Sequence, residues 1–394
     1  MKRKKRPADT TDVANFSRSR RASRSATACL IGLAVLTGSC ASLPWQTSKS
    51  EISRAERLEI LRRAQVWAPT DVASMDLKTG PVGPGAFALG ETVRCDYVER
   101  DMNGRSPKFI CIIPGKEPDE VKVKYGVGNA EVYGEVMATR LLWALGFGAD
   151  RMYPVRVICR GCPASITAGQ LLPSGERLFD PAVIERKAAG REIESRPNQG
   201  WSWPELELVD ASVGGAPRAH LDALKLLAVM MTHTDSKAAQ QRLVCLDPRP
   251  APGATTEKPC AQPFMLIQDV GLTFGKPDLI YRKVNYVNRS RWSSTRVWLG
   301  TDGCTGNVKK PFLGTLYQPQ ISEGGRSFLA SLLNQLTDSQ IRDLFETARV
   351  SLRSGPQERE VSAVTNVDGW VSVFKRKREE VSARRCPAEP AAGK

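Results

Sequence analysis

The sequence predicts an α+β chain: a small, mainly antiparallel sheet with one helix, followed by a larger, mainly helical part. Three observations carry that prediction. Runs with alternating apolar residues fill much of 91–125, as in Val121-Lys122-Val123-Lys124-Tyr125. A capped helical pattern follows at 129–145, and helical patterns dominate after about residue 216. The 394 residues suit two or three domains or one two-part unit, and 41% hydrophobic content is enough for a core.

Residues 1–40 read as an export leader. The first 28 hold nine Lys and Arg against two Asp, nearly half of the net charge of +15. An apolar run from Ala28 to Leu36 follows, then Thr37-Gly38-Ser39-Cys40-Ala41. Basic, apolar and small-residue regions in this order mark a secretory signal. Small residues before Cys40 resemble a bacterial lipoprotein cleavage box, although Leu36 lies four residues before the Cys instead of three. Two outcomes stay open, lipidation of Cys40 or ordinary cleavage near Ala41. The first implies a periplasmic, outer-membrane or cell-surface lipoprotein held to the membrane by its N-terminal lipid. The remaining charge is spread along the chain without a basic stripe, which speaks against a nucleic-acid partner.

Cysteine usage agrees with export. Apart from Cys29 in the signal and Cys40, eight remain, and an even count after an export signal favours disulfides. Local spacing suggests Cys95–Cys111 across a hairpin and Cys245–Cys260 at the base of a Pro-rich excursion. Cys159–Cys162 reads as a short structural disulfide, and Cys304–Cys386 would tie the C-terminal part together. A zinc site at Cys159-Arg-Gly-Cys162 lacks a second C-x-x-C, and the chain has only His220 and His233.

In chain order, 41–70 is a tether leading to a short helix over 51–67. Strands are expected at 71–78, 91–98, 107–113 and 120–125, with a Gly- and Pro-rich turn at 80–85. Asn129 caps the 129–145 helix, Gly146 stops it, and a strand returns at 153–159. Thus 71–160 forms the sheet-rich part. Residues 161–215 read as an insertion, 216–386 as the helical part, and 387–394 as a disordered tail. Within the helical part, 219–232 is an apolar helix. Strands at 242–246 and 264–268 flank an excursion with five prolines over 248–263. Helices at 327–335, 338–352 and 370–384 close the chain.

Two short runs carry chemistry. Met230-Met-Thr-His-Thr-Asp-Ser-Lys-Ala-Ala-Gln-Gln241 falls in register with the protein-kinase catalytic loop H-R-D-L-x-x-x-N. His233 stands at the His position, Asp235 at the catalytic Asp and Lys237 two residues on. Gln240, or Gln241 beside it, takes the place of the metal-binding Asn. Leu266-Ile-Gln-Asp-Val-Gly271 resembles D-F-G, with Asp269 at its metal-binding position. Upstream, Val121-Lys-Val-Lys124 takes the place of V-A-I-K, with Lys122 on the same strand face. Glu131 and Glu135 share one face of the following helix. Lys124 with Glu135 is the preferred ion pair. Each piece alone is commonplace, and their order along the chain is what points to one site.

The run Glu135-Val-Met-Ala-Thr-Arg-Leu-Leu-Trp-Ala-Leu-Gly-Phe147, with Arg151-Met-Tyr-Pro-Val155, resembles the atypical kinases of the phosphoinositide-kinase-like superfamily, secretory-pathway and HipA-type bacterial kinases included. The resemblance spans roughly residues 75–380, carried by four short segments. It implies a two-lobed kinase-like fold that holds ATP with Mg²⁺ or Mn²⁺ between the lobes. It further implies that Lys124 binds phosphate, Glu135 orients it, Asp235 is the general base and Asp269 holds the metal. The functions implied are an exported phosphotransferase acting on a hydroxyl, a pseudokinase-type binding module without cofactor, or a nucleotidyl or other group transferase. Gln240, and a turn at 80–85 that is not G-x-G-x-x-G, favour the binding module. The acceptor, protein, lipid or glycan, is not encoded in these motifs. Hydrolase signatures such as G-x-S-x-G and H-E-x-x-H are absent.

Overall fold

The computed structural model describes residues 52–104, 106–166, 169–193, 199–247, 260–275, 286–301, 303–308, 314–353 and 367–387. The leader, Cys29, Cys40, most of the Pro-rich excursion and the tail beyond 387 lie outside these residues.

The chain is mixed α/β. Helix α1 (Arg54–Arg62) starts at Ser53, whose side chain accepts the Glu56 N–H at 3.1 Å. It is shorter than the expected 51–67, because Gln65 and Trp67 are drawn into bridges with Phe264 and Phe147. The strand expected at 71–78 does not form. Val72–Ser74 is a short 3₁₀ turn, and the Asp76 carboxylate accepts the N–H groups of Lys78 and Thr79. Local side-chain bonds of this kind compete with strand pairing.

Strands β1 (Thr92–Val98), β2 (Lys108–Ile113) and β3 (Asp119–Tyr125) form an antiparallel meander. Helix α2 (Ala130–Ala144) follows, then β4 (Arg151–Arg160), β5 (Gln170–Leu171), β6 (Arg177–Arg186) and the short β7 (Arg191–Glu192). The sheet runs β3-β2-β1-β4-β6, and β3 pairs back onto β6, so five strands close into a barrel with β5 beside it. The sheet is mainly antiparallel, with one parallel pairing, β1–β4. Closure needs β6, which lies inside the stretch 161–215 expected to be an insertion. Pro181 hides β6 in the sequence, because proline is confined to strand edges, starts and bulges. Here Asp180 and Pro181 stand at an irregularity, where β4 steps from Val155 to Val157 while β6 steps from Ala182 to Phe179.

Alternation decides which side chains enter the barrel. Val121, Val123 and Tyr125 point in, with Phe109, Cys111, Val155, Val157, Phe179 and Ile184. The rings of Phe109, Tyr125 and Phe179 meet with centroids 4.7–5.5 Å apart. The Cys95–Cys111 disulfide joins β1 to β2 within this cluster, and Cys159–Cys162 closes the end of β4. Lys122, Lys124 and Glu185 have the opposite parity and lie on the barrel's outer face.

Thirteen of the fifteen residues of α2 are buried. One side packs on the barrel and another on the helical part, so the helix is apolar nearly all round. Helix α3 (Arg218–Met230) leads to β8 (Gln241–Cys245) and β9 (Pro263–Ile267), which pair with β7 in a second sheet. Then come α4 (Arg289–Ser294), α5 (Glu323–Asn334), α6 (Asp338–Thr347) and α7 (Val367–Ala383). One apolar core runs from α1 through α2 and α3 to α7, separate from the barrel interior.

The other two expected disulfides are present as well. Cys245–Cys260 closes the base of the excursion, and Cys304–Cys386 ties the chain after α7 to the segment before α5. Four such bonds are consistent with an extracytoplasmic protein. Among the described residues, no helix is long and apolar enough to cross a membrane.

Candidate functional site

Lys124 lies at the centre of the site. Strand parity aims it from β3 at α2, where Glu135 waits one turn beyond Glu131. Its ammonium contacts the Glu135 carboxylate directly and lies 3.0 Å from Glu131 Oε2. The Lys124 and Glu135 side chains are 4% and 0% exposed. Burial alone would lower the lysine pKa, but the carboxylates of Glu135, Asp269 and Glu131 outweigh it and hold Lys124 above its ordinary range. Burial pushes the Glu135 carboxyl upward and Lys124 opposes that shift. Lys122 is not an alternative partner on α2. Its ammonium bonds Glu185 on β6 at 2.5 Å.

Two loops complete the site. After α3 the chain turns through Thr232, at φ +54°, a left-handed conformation that a β-branched residue rarely adopts. Hydrogen bonds hold it there. Thr232 Oγ1 donates to the Gly275 carbonyl and accepts the Gly275 N–H, both at 3.0 Å. Asp235 follows, paired with Lys237 at 2.9 Å and accepting from Gln240 Nε2 at 3.2 Å. The Gln240 carbonyl accepts the N–H groups of Gln268 (2.8 Å) and Asp269 (3.1 Å). One residue thus touches both acidic loops, and Asp235 and Asp269 are joined through it.

Asp269 lies within reach of the Lys124 charge. Burial would raise its pKa, but the Lys124 ammonium and the Gly271 N–H, 3.2 Å from Oδ1, hold it below the usual carboxylate range. Close approach of this loop to α2 requires glycine on both sides. A Cβ on Gly134 would lie 2.7 Å from the Gly271 carbonyl, and one on Gly271 would lie 2.5 Å from Glu131 Cγ.

His233 is fully buried beneath the loop, and both of its ring nitrogens lack a hydrogen-bond partner among the described residues. Burial lowers its pKa to about 4, against a small opposite pull from Asp269 and Asp235. The sequence places His233 among the candidate catalytic residues; in the structure its ring is buried beside Trp203.

The segment at 77–85 is held against α2, β4 and β6: Arg140 of α2 bonds the Leu77 and Lys78 carbonyls, Tyr153 Oη bonds Pro81 and Arg186 bonds Gly85. The connection before β2 lies at the site. Ser106 Oγ donates to Glu131 Oε2 at 2.8 Å, and Asn129 Nδ2 donates to the Pro107 carbonyl at 3.1 Å. Lys108 at the start of β2 is also part of the site, with its pKa lowered by burial and by Lys124. Neither Ser106 nor Lys108 has a motif to mark it.

At the back of the site, Asp150 fastens the barrel to the second sheet. Its carboxylate bonds Arg242 of β8 and accepts the Ala188 N–H at 2.7 Å. Burial raises its pKa to about 6 against the pull of Arg242.

A separate concavity of about 540 Å³ beside α1 contains none of these residues, and its Arg62 and Arg218 are already paired with Asp210 and Asp222. Cys245, Asp247 and Cys260 lie together with metal-like spacing, but the two sulfurs are bonded to each other.

No protein-family model and no curated protein sequence matches the chain. Among solved structures, the Helicobacter pylori proinflammatory kinase CtkA aligns with a TM-score of 0.40 at 8% identity, covering 74% of this chain and 96% of that one. A likeness that shallow does not by itself establish a fold.

Proposed function

We propose that the chain is a two-lobed, kinase-like phosphotransferase that works outside the cytoplasm, anchored at the cell envelope through Cys40. Its cleft lies between the outer face of the barrel with α2 and the loops at 232–240 and 268–275. The observation that carries this reading is Lys124, a buried ammonium fixed by a helix carboxylate beside the acidic residue of a second loop. A lone buried cation would be costly, and pairing with Glu135 and Glu131 keeps it charged and in place. Phosphoryl transfer calls for such a group, because its catalysis is mainly positioning and charge stabilisation.

In this reading Lys124 binds the nucleotide phosphates and Glu135 positions it. Asp269 and Gln240 fit a divalent metal by their donor chemistry. Among the described residues, Asp269 Oδ2 and Gln240 Oε1 take no hydrogen bond, and such hard oxygens suit Mg²⁺ or Mn²⁺. The Gln240 amide nitrogen orients Asp235, so its oxygen stays available, as an Asn there would allow. Bound metal would neutralise phosphate charge. Asp235 takes the acceptor hydroxyl's proton, and Lys237, already on that carboxylate, stands beside the transferring group. His233 holds the loop by packing.

Thermal melting with ATP and Mn²⁺ or Mg²⁺ tests this. The folded wild-type protein should gain stability only when nucleotide and metal are both present, and Asp269→Ala should abolish the gain. Mass spectrometry of the product should then show added phosphate rather than added nucleotide. No nucleotide-dependent shift in a folded protein would sink the proposal, and binding without product would leave the pseudokinase-type module.

A further inference from the structure

The β2–β3 register puts Lys108 directly opposite Lys124. Directly opposed residues on antiparallel strands point to the same face, so two ammonium groups share the barrel's outer surface at the mouth of the site. Like charges opposed in this way destabilise a sheet unless an anion lies between them. Burial and then Lys124 lower the Lys108 pKa, and Glu131 opposes that shift. Glu131 Oε2 lies 3.0 Å from the Lys124 ammonium, whereas among the described residues no carboxylate forms an ion pair with Lys108.

The two carboxylates on Lys124 differ. Glu135 lies deep at 0% exposure, whereas the Glu131 side chain is 18% exposed and on the open side. Glu131 also accepts the Ser106 hydroxyl at 2.8 Å and so ties the foot of the β1–β2 connection to the lysine. An ammonium has three donors; Glu135 accepts one of them, and Glu131 pairs with the charge at 3.0 Å.

We infer that Lys108 and Lys124 form a two-ammonium seat for the phosphate chain, and that Glu131 is a built-in anion holding the Lys124 half of that seat until a nucleotide displaces it. The inference rests on the nucleotide-binding reading above. When phosphate arrives, it replaces the Glu131 carboxylate on Lys124 and reaches across to Lys108, and the Ser106 latch opens with it. Glu131 thus acts against ligand binding, unlike Glu135, which prepares the lysine for it.

Titration of ATP with Mn²⁺ into the full-length folded protein, followed calorimetrically, separates the cases. Glu131→Gln keeps the shape and can still accept from Ser106 but removes the competing charge, so ATP should bind roughly tenfold more tightly, a change of one decade per 1.4 kcal/mol. Lys108→Gln should weaken ATP by a similar factor. Hydrogen exchange gives a second readout. The Ile110 and Phe109 amides and those flanking Ser106 should exchange faster when ATP is bound to the wild type, because the latch has opened. Unchanged or weaker ATP binding by a folded Glu131→Gln, while the wild type binds, overturns the internal-anion inference alone. ATP binding by none of the folded proteins overturns the nucleotide reading, and the inference falls with it.

Discussion

In the proposed phosphotransferase Lys124 belongs to the barrel wall of the cleft and Asp235 to the loop wall, and the two carry their charges differently. Lys124 and Glu135 are sealed in, 4% and 0% exposed, and each depends on the other to stay out of water. Asp235 and Lys237 are 22% and 36% exposed, and water shares the work of solvating them. On the barrel wall the functional group is therefore also a structural one. A substitution there confuses chemistry with stability, whereas the loop wall can lose its chemistry with the fold intact.

The largest effect should come from Glu135→Ala. It leaves the Lys124 ammonium buried with only the mouth-side Glu131, and breaking a buried pair costs about 3–5 kcal/mol. Urea unfolding should place the loss toward the lower end of that range, since Glu131 remains. Equal destabilisation by Asp235→Asn would break the contrast between the walls.

Next in size is the pH dependence beneath the loop wall. His233 has a folded pKa of about 4 against 6.5 when unfolded. The unfolded chain binds the proton more tightly, so this stability is present above pH 6.5 and is lost as pH falls toward 4. About 3 kcal/mol is at stake at 1.36 kcal/mol per pH unit. Asp150 runs the other way. Its folded pKa of about 6 exceeds the unfolded 3.8, so its contribution is present below pH 3.8 and lost as pH rises through 6. The two slopes overlap between about pH 4 and 6 and partly cancel. His233→Leu should remove the acid-side loss, with little change at pH 7 because no hydrogen bond is given up. Asp150→Asn should steepen it. Chemical denaturation at stepped pH reads both, and an unchanged acid limb in His233→Leu would contradict the burial argument.

A smaller effect is expected at the disulfide that closes the excursion between the two loop-bearing strands. Cys245 and Cys260 are separated by 15 residues, and opening a loop of that size costs about 2–3 kcal/mol. Replacing both by Ser should lower the midpoint of unfolding. Hydrogen exchange should rise in β8 and β9 and stay unchanged in the barrel, whose own Cys95–Cys111 bond remains.

How much of this is legible in the sequence depends on the kind of signal involved. Strands β1 to β3 and helix α2 are legible because alternation and the Asn129 cap act locally, and local spacing suggests the four disulfide pairs without fixing their connectivity. The pairing of Lys124 with Glu135 is legible because a strand and the next helix fix it within eleven residues. Strand β6 is not, since Pro181 reads as a break and only the pairing with both β3 and β4 keeps it extended. Lys108 is hidden for a related reason: it has no motif, and its position opposite Lys124 exists only once β2 and β3 are in register. The 80–85 turn reads from sequence only as a Gly- and Pro-rich turn without the G-x-G-x-x-G pattern, and its place is set by distant Tyr153 and Arg186, which no local signal marks. Thr232 has no signal either, because a left-handed turn is ordinarily read from Gly or Asn.

The smallest change in stability should accompany the largest change in chemistry. Asp235→Asn removes one partly exposed charge whose pairing with Lys237 is worth about 0–1 kcal/mol. The amide can still accept from Gln240, so the loop should keep its shape. ATP and Mn²⁺ should bind as before, since Lys124 and Asp269 are untouched. Transfer to an acceptor hydroxyl should fall by about 10²–10⁴, the usual contribution of a positioned base. A melting curve, an ATP titration and a turnover assay on the same preparation check the three parts. If turnover survives while Asp269→Ala abolishes it, proton removal does not belong to Asp235, and the loop wall serves to hold the metal-bearing strand rather than to do chemistry.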